Sequence, residues 1–266
     1  AVAPFLLEDL MSFLLSLFLL FSPAAEAKIV TRVVEYKHKD AVLEGYLAYD
    51  DAKKGIRPGV LVIHEWTGVG PHVQKVAQKL ARLGYVAFAA DIYGKGIRPQ
   101  PPQAAEISNI YKSDRALMRE RVMAGLEELK KQKGVDGRKL AAIGYCFGGT
   151  TALELARMGA DVSAFVSFHG TLTSPAPEDA KNIKGKVLVL HGADDPYVPE
   201  DEVKGFENEM RAGKVDWQLV KYSGAVHSFT NVEAGSDNSK GQAYNKSADQ
   251  RSWEAMKAFF RETIGG

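Results

Sequence analysis

The sequence predicts an α/β fold with a mostly parallel central sheet flanked by helices on both faces. Three observations carry that expectation. Short continuous apolar runs such as Gly59-Val60-Leu61-Val62-Ile63 read as strands buried on both faces. Stretches with apolar residues at helical spacing alternate with them, as in repeated strand–helix–strand units. Glycines and prolines cluster at the joints between the two kinds of segment.

The elements follow in order from residue 29. Residues 29–37 and 42–49 are β-rich and close together, which predicts a starting hairpin. The 59–63 run is the first buried strand. Val73, Val76, Ala77, Leu80 and Leu83 share one helical face, and Gly84 supplies a C-terminal stop. Residues 85–90 form the next strand, and the glycine- and proline-rich 94–102 stretch a loop. Residues 104–133 read as a long or broken helix ended by Gly134. Then come a strand at 140–143, a helix at 150–158, strands at 165–168 and 187–190, a helix at 200–211, a strand at 217–222 and an amphipathic helix at 248–263. No repeat or linker-like composition divides residues 28–266, so a single domain is expected.

Lys plus Arg is 34 and Asp plus Glu is 33, a net charge of +1. That balance argues against a dedicated nucleic-acid binder, which carries a basic face. The single cysteine excludes an intrachain disulfide and any cysteine-built metal cluster. The histidines at 38, 64, 72, 169 and 191 lack metal-ligand spacing, so no metal site is expected, and His64 and His191 read as loop ties at strand ends. Residues 13–21 are an apolar run followed by Ala25-Glu26-Ala27, a small-residue cleavage pattern. This predicts a secretory leader over residues 1–27 and a periplasmic or secreted destination. The run is too short to span a membrane. The alternative is an amphipathic or apolar helix packed on the domain or on a partner, in a cytoplasmic protein.

The chemistry centres on Gly144-Tyr145-Cys146-Phe147-Gly148, between a predicted strand and a predicted helix. This is G-x-C-x-G, the cysteine form of the nucleophile elbow. The sharp turn lifts the nucleophile above the sheet edge, the small flanking residues let strand and helix approach, and the Phe147 N–H faces a developing oxyanion. The helix N-terminus beneath favours a thiolate. A thiol nucleophile needs a base, and the base an orienting acid. After Cys146 the chain offers Asp194 and Asp195 behind one buried strand, then His227 behind another. His227 is the expected base and Asp195 the expected acid, with Asp194 as the alternative. The loop after the first buried strand holds His64-Glu65-Trp66, where the second oxyanion donor belongs, and the Trp66 N–H is the candidate. Glu65 then lies near the thiol, as an auxiliary base or as a loop anchor. Trp66, Tyr93, Phe147, Tyr197 and Phe229 suggest an aryl pocket, unless they are core.

His64-Glu65-Trp66-x-Gly68, Asp91-x-Tyr93-Gly94, Gly144-Tyr145-Cys146-x-Gly148-Gly149, Gly192-x-x-Asp195-x-x-Val198-Pro199 and His227-Ser228-Phe229 together resemble the dienelactone hydrolases across roughly residues 29–264. The resemblance implies an α/β-hydrolase fold, a triad of Cys146, Asp195 and His227, a Glu65 carboxylate that contacts the thiol and helps ionise it, and no metal or organic cofactor. It also implies arginines that clamp a substrate carboxylate. Arg98, Arg115 and Arg119 lie in the relevant stretch, with Arg98 the candidate for the pocket, but none falls in a matched motif. The expected activity is hydrolysis of small-molecule esters or lactones through a covalent cysteine intermediate, by a monomer or homodimer. A thiol nucleophile also gives a physical route to phosphotriesters, because a phosphoryl-thiol releases its phosphoryl group more readily than a phosphoryl-serine. The alternative is a scaffold of this fold kept for binding or thiol sensing. Peptide cleavage is disfavoured, because no insertion for an extended substrate is evident.

Overall fold

The computed structural model describes residues 27–265. Apart from Ala27, the expected leader lies outside the described residues. The strands are β1 (Ile29–His38), β2 (Ala41–Asp50), β3 (Arg57–Ile63), β4 (Val86–Ala90), β5 (Val135–Tyr145), β6 (Ala164–Phe168), β7 (Lys186–Gly192) and β8 (Trp217–Tyr222). The helices are α1 (Pro71–Leu83), α2 (Gln103–Ser113), α3 (Arg115–Lys131), α4 (Phe147–Arg157), α5 (Glu200–Ala212) and α6 (Lys246–Thr263), joined by short 3₁₀ turns.

The strands form one sheet in the order β1-β2-β4-β3-β5-β6-β7-β8. β1 pairs antiparallel with β2, and β2 antiparallel with β4; every later pairing is parallel. The chain leaves β3 for β4 on one side and returns to β5 on the other. The carboxyl ends of β3 and β5 therefore flank a crevice where the winding direction reverses, the usual ligand position in open α/β sheets.

Successive strand residues point to opposite faces, and both faces are covered. Leu61, Ile63, Phe88, Leu140 and Ala142 pack under α3, α4 and α5 with Met118, Val122, Leu126, Leu153 and Phe206. Val60, Val62, Ala87, Ala141 and Ile143 pack on the opposite face with Val73, Val76 and Leu80 of α1 and Met256 and Phe260 of α6. Burial on both sides is why these strands read as continuous apolar runs rather than as alternation.

The structure sharpens or adds to the sequence reading in three places. The 104–133 segment is two helices, broken at Asp114, whose carboxylate accepts from the Leu117 N–H at 2.9 Å and caps α3. β5 begins at Val135, five residues before its apolar core, because Arg57 and Pro58 pair with Val135 and Asp136 ahead of a register shift. The third is a buried ion network that spans three helices. The Arg157 guanidinium, 1% exposed, donates to Glu209 at 2.7 and 2.8 Å, to Glu154 at 3.0 Å and to the Leu172 carbonyl at 2.8 Å. Arg119 of α3 closes on the other Glu154 oxygen at 2.8 Å. The fork geometry of the guanidinium ties α3, α4 and α5 together, and removing one partner of such a buried pair typically costs about 3–5 kcal/mol.

Candidate active site

Cys146 sits between β5 and α4 with φ 54° and ψ −116°, a conformation disfavoured for a side chain-bearing residue. The strain is held by contacts on either side. A Cβ on Gly144 would lie 1.9 Å from the Gly148 carbonyl oxygen, and one on Gly148 would lie 2.3 Å from the Ile63 carbonyl oxygen. Only glycine allows β5, α4 and the end of β3 to meet this closely. The Cys146 N–H donates to the Phe168 carbonyl at 3.0 Å and to His169 Nδ1 at 3.2 Å.

The loops after β7 and β8 bring the other candidates to the thiol. His227 Nε2 lies 3.1 Å from Cys146 Sγ, and His227 Nδ1 donates to Asp195 Oδ2 at 2.8 Å. The second Asp195 oxygen accepts from the Tyr197 N–H at 2.9 Å. The alternative acid, Asp194, is directed elsewhere: it accepts from the Gly224 N–H at 3.0 Å and ties the two loops. Burial of His227 disfavours its charge, but the negative charge on Cys146 and the hydrogen bond to Asp195 outweigh that and push its pKa from 6.5 up to about 10. The arrangement therefore favours an imidazolium paired with sulfur at neutral pH.

The backbone N–H groups of Phe147 and Trp66 carry no hydrogen bond to another described residue. They stand at the N-terminus of α4 and in the loop after β3. His64 holds that loop. Its Nε2 accepts from the Ile92 N–H at 3.2 Å, which leaves Nδ1 to donate to the Glu65 carbonyl at 2.6 Å. Complete burial keeps this imidazole neutral.

Two cavities meet at the thiol. One of about 570 Å³ is lined by Glu65, His72, Gln100, Asn231 and Glu233; one of about 310 Å³ by Lys112, Phe147, Thr150, Thr171, Tyr197 and His227. Cys146, Trp66 and Gln242 line both. Of the expected pocket residues, Tyr197 is on the cavity wall, 53% exposed, with its ring edge-on to His227.

Trp66 and Phe147 also line the cavities, whereas Tyr93, Phe229 and Arg98 are on neither wall. Tyr93 is 3% exposed, packs against His64, Phe147 and Tyr111, and donates its hydroxyl to the Trp66 carbonyl at 3.0 Å. Phe229 is wholly buried against His169 and Tyr222. Arg98 donates to the carbonyls of Val69, Glu44 and Ile97 and pairs with Glu44 and Asp91, so its charge is spent fastening loops. Tyr93 and Phe229 fill the core, because both sheet faces are covered right up to the site.

Glu65 also differs from what the resemblance implied. Its carboxylate lies on the cavity wall with Cys146, but it accepts from Asn231 Nδ2 at 3.1 Å and sits 3.2 Å from His72 Nδ1, with no hydrogen bond to the thiol. Sequence reasoning gave no role to His72, Asn231, His169 or Thr230. His169 accepts from the Cys146 N–H through Nδ1, so its Nε2–H donates to Thr230 Oγ1 at 2.8 Å. Burial, then the neighbouring His227, hold its pKa well below the ordinary value, so it stays neutral. It thus links the nucleophile's backbone to the loop that carries the base. Its position directly after β6 is the same strand-end signal that singled out His64 and His191.

A mixed, mostly parallel sheet with a strained elbow after β5 and an acid and a histidine after β7 and β8 defines an α/β-hydrolase. The chain belongs to the dienelactone hydrolase family, which it matches over residues 43–264. It is an ester-bond hydrolase of that family. It is 28% identical over 238 residues to "Protein usf" of Aquifex pyrophilus, covering 88% of this chain and 99% of that one. An Aquifex aeolicus protein provisionally named a carboxymethylenebutenolidase is 28% identical over 235 residues, 86% of this chain and 97% of that one. Among solved structures, a dienelactone hydrolase-like promiscuous phosphotriesterase from metagenomic libraries is 43% identical with a TM-score of 0.86, over 90% of this chain and 99% of that one.

Proposed function

We propose that this protein hydrolyses small carboxylic esters and lactones through a thioester on Cys146, and aryl phosphotriesters as secondary substrates. The observation that carries this is the aligned relay of Asp195, His227 and Cys146, at 2.8 and 3.1 Å, beside two unpaired N–H groups. The thiolate attacks the carbonyl carbon, and the oxyanion forms against the N–H groups of Phe147 and Trp66. The C–O bond then breaks as the His227 imidazolium gives its Nε2 proton to the leaving oxygen. Water, losing a proton to the now neutral His227, attacks the thioester; the C–S bond breaks and the acid departs, leaving thiolate and imidazolium as before. Asp195 stays ionised and holds the Nδ1–H tautomer throughout.

The phosphotriester reading is supported by the relative's activity and by leaving-group chemistry. The same oxyanion donors serve a phosphoryl oxygen, and a thiolate departs from phosphorus more readily than an alkoxide. Intact-mass spectra during turnover are the test. A short-chain aryl ester and an aryl phosphotriester should each place a transient adduct on Cys146 that clears on standing, whereas Cys146→Ser should retain the phosphoryl group. A phosphoryl adduct on the native thiol that never clears would remove phosphotriesters from the substrate range.

The raised His227 pKa sets a pH dependence. Its folded-state value, about 10, lies above the ordinary 6.5. The stabilisation it represents is therefore fully present below about pH 6.5 and is lost as pH rises through about 10. The same proton is needed by a poor leaving group and not by a good one. The kcat/KM of an alkyl ester should fall as pH passes about 10, while that of an aryl ester stays level. Coincident profiles for the two ester types would remove His227 as the acid.

A further inference from the structure

The two cavities at the thiol differ in charge, and the position of His227 says which half of the substrate each receives. His227 lines only the smaller cavity. The leaving oxygen must come within reach of Nε2 to take its proton, so the leaving group belongs on that side and the acyl half in the larger cavity.

Among the described residues, no carboxylate lines the smaller cavity. Its cation is Lys112 of α2, half-buried and without a salt bridge to any described residue. Its hydroxyls include Thr150, whose Oγ1 lies 2.8 Å from that of Thr171. The larger cavity carries the carboxylates of Glu65 and Glu233. Glu65 lies 3.2 Å from His72 Nδ1, and Glu233 is exposed with no ion pair to a described residue. Of the three arginines singled out in the sequence, Arg98 is committed to loop carbonyls and Asp91 and Arg119 to Glu154 and Asp179, while Arg115 lines neither cavity and donates to Met118 Sδ at 3.6 Å. Among the described residues, Lys112 is thus the lysine or arginine that lines the cleft.

We propose that Lys112 is a specificity-determining residue that selects esters bearing an anionic group, such as a carboxylate, on the leaving alcohol or phenol, and that the acidic wall of the larger cavity disfavours the same charge on the acyl half. The proposal rests on the hydrolase reading above and deepens it. A substrate anion beside the half-buried ammonium gains a charge-assisted hydrogen bond, worth about tenfold or more in affinity. On the acyl side the same anion meets like charge.

The test compares kcat/KM for the acetate ester of 4-hydroxybenzoate with that for phenyl acetate, and for phenyl hydrogen succinate with phenyl butyrate, each normalised to its uncatalysed rate. The ratios are taken within each protein, so any general loss in a variant cancels. The native protein should favour the anionic leaving group by about tenfold, mainly through KM, and disfavour the anionic acyl group. Lys112→Met should bring the first ratio close to one, and Lys112→Glu should invert it. The second ratio should stay below one in both. A first ratio unchanged by either substitution, or an anion equally favoured on both halves, overturns the assignment while hydrolysis of phenyl acetate stands. Failure of the native protein to hydrolyse any of the four overturns the hydrolase reading instead.

Discussion

Cys146→Ala is expected to lower the kcat/KM for a short-chain aryl ester by on the order of 10⁴ or more, with a chelator present and the fold intact. The methyl group removes the attacking atom. The chain has one cysteine, so there is no second thiol to take over. His227 also loses the charge that raises its pKa, and burial then acts on it unopposed except for Asp195. The fold should be unharmed, because Cys146 faces the cleft and its backbone hydrogen bonds to Phe168 and His169 do not involve the sulfur. Steady-state kinetics on the native and substituted proteins, with circular dichroism to check folding, decides the point. Equal rates would place the reaction at another site.

Gly148→Ala is expected to damage both stability and activity, although it adds a single methyl group. That methyl would lie 2.3 Å from the Ile63 carbonyl oxygen and 2.7 Å from that of His64. These are backbone atoms at the end of β3 and cannot rotate aside. The first turn of α4 must move off the sheet, taking with it the Phe147 N–H and widening the step to Trp66. Overpacking of this kind typically costs about 1–3 kcal/mol, and displacing an oxyanion donor costs about 10²–10³ in kcat. Gly205 is the internal control. It is exposed in α5 with no atom within 4 Å of its Cβ position, so Gly205→Ala should stabilise the protein by about 0.5–1 kcal/mol with activity unchanged. Urea denaturation and ester kinetics on the two variants read this directly. A neutral Gly148→Ala would mean that the elbow is not held by this contact.

The order of strands and helices was legible because both faces of the sheet are covered. Strands buried on two sides read as unbroken apolar runs, and the helices over them keep a clean apolar stripe. The elbow was legible because its glycines are demanded by backbone atoms less than 3 Å away, so the sequence must carry them. The order of Cys146, Asp195 and His227 was legible because each follows a buried strand, and strand ends of a parallel sheet converge on one edge.

The charged network around Arg157 was not legible, since it is completed by Glu209, 52 residues away on α5, and by Arg119 of α3, which reaches Glu154. Nor could local pattern distinguish Asp194 from Asp195: adjacent residues in one loop differ in direction, and only the loop's path sends one to His227 and the other to Gly224. The fates of Tyr93, Arg98 and Phe229 were set the same way, by which side of the loop met the core. By itself the sequence determined the layered α/β architecture and the residue types assembled at one edge of the sheet, because periodicity and close-approach glycines are local demands. Only the tertiary structure decided which neighbours pair, that Glu65 meets His72 and Asn231 rather than the thiol, and that Lys112 rather than an arginine faces the cleft. Those outcomes depend on distances between segments far apart in the chain, and no local pattern encodes them.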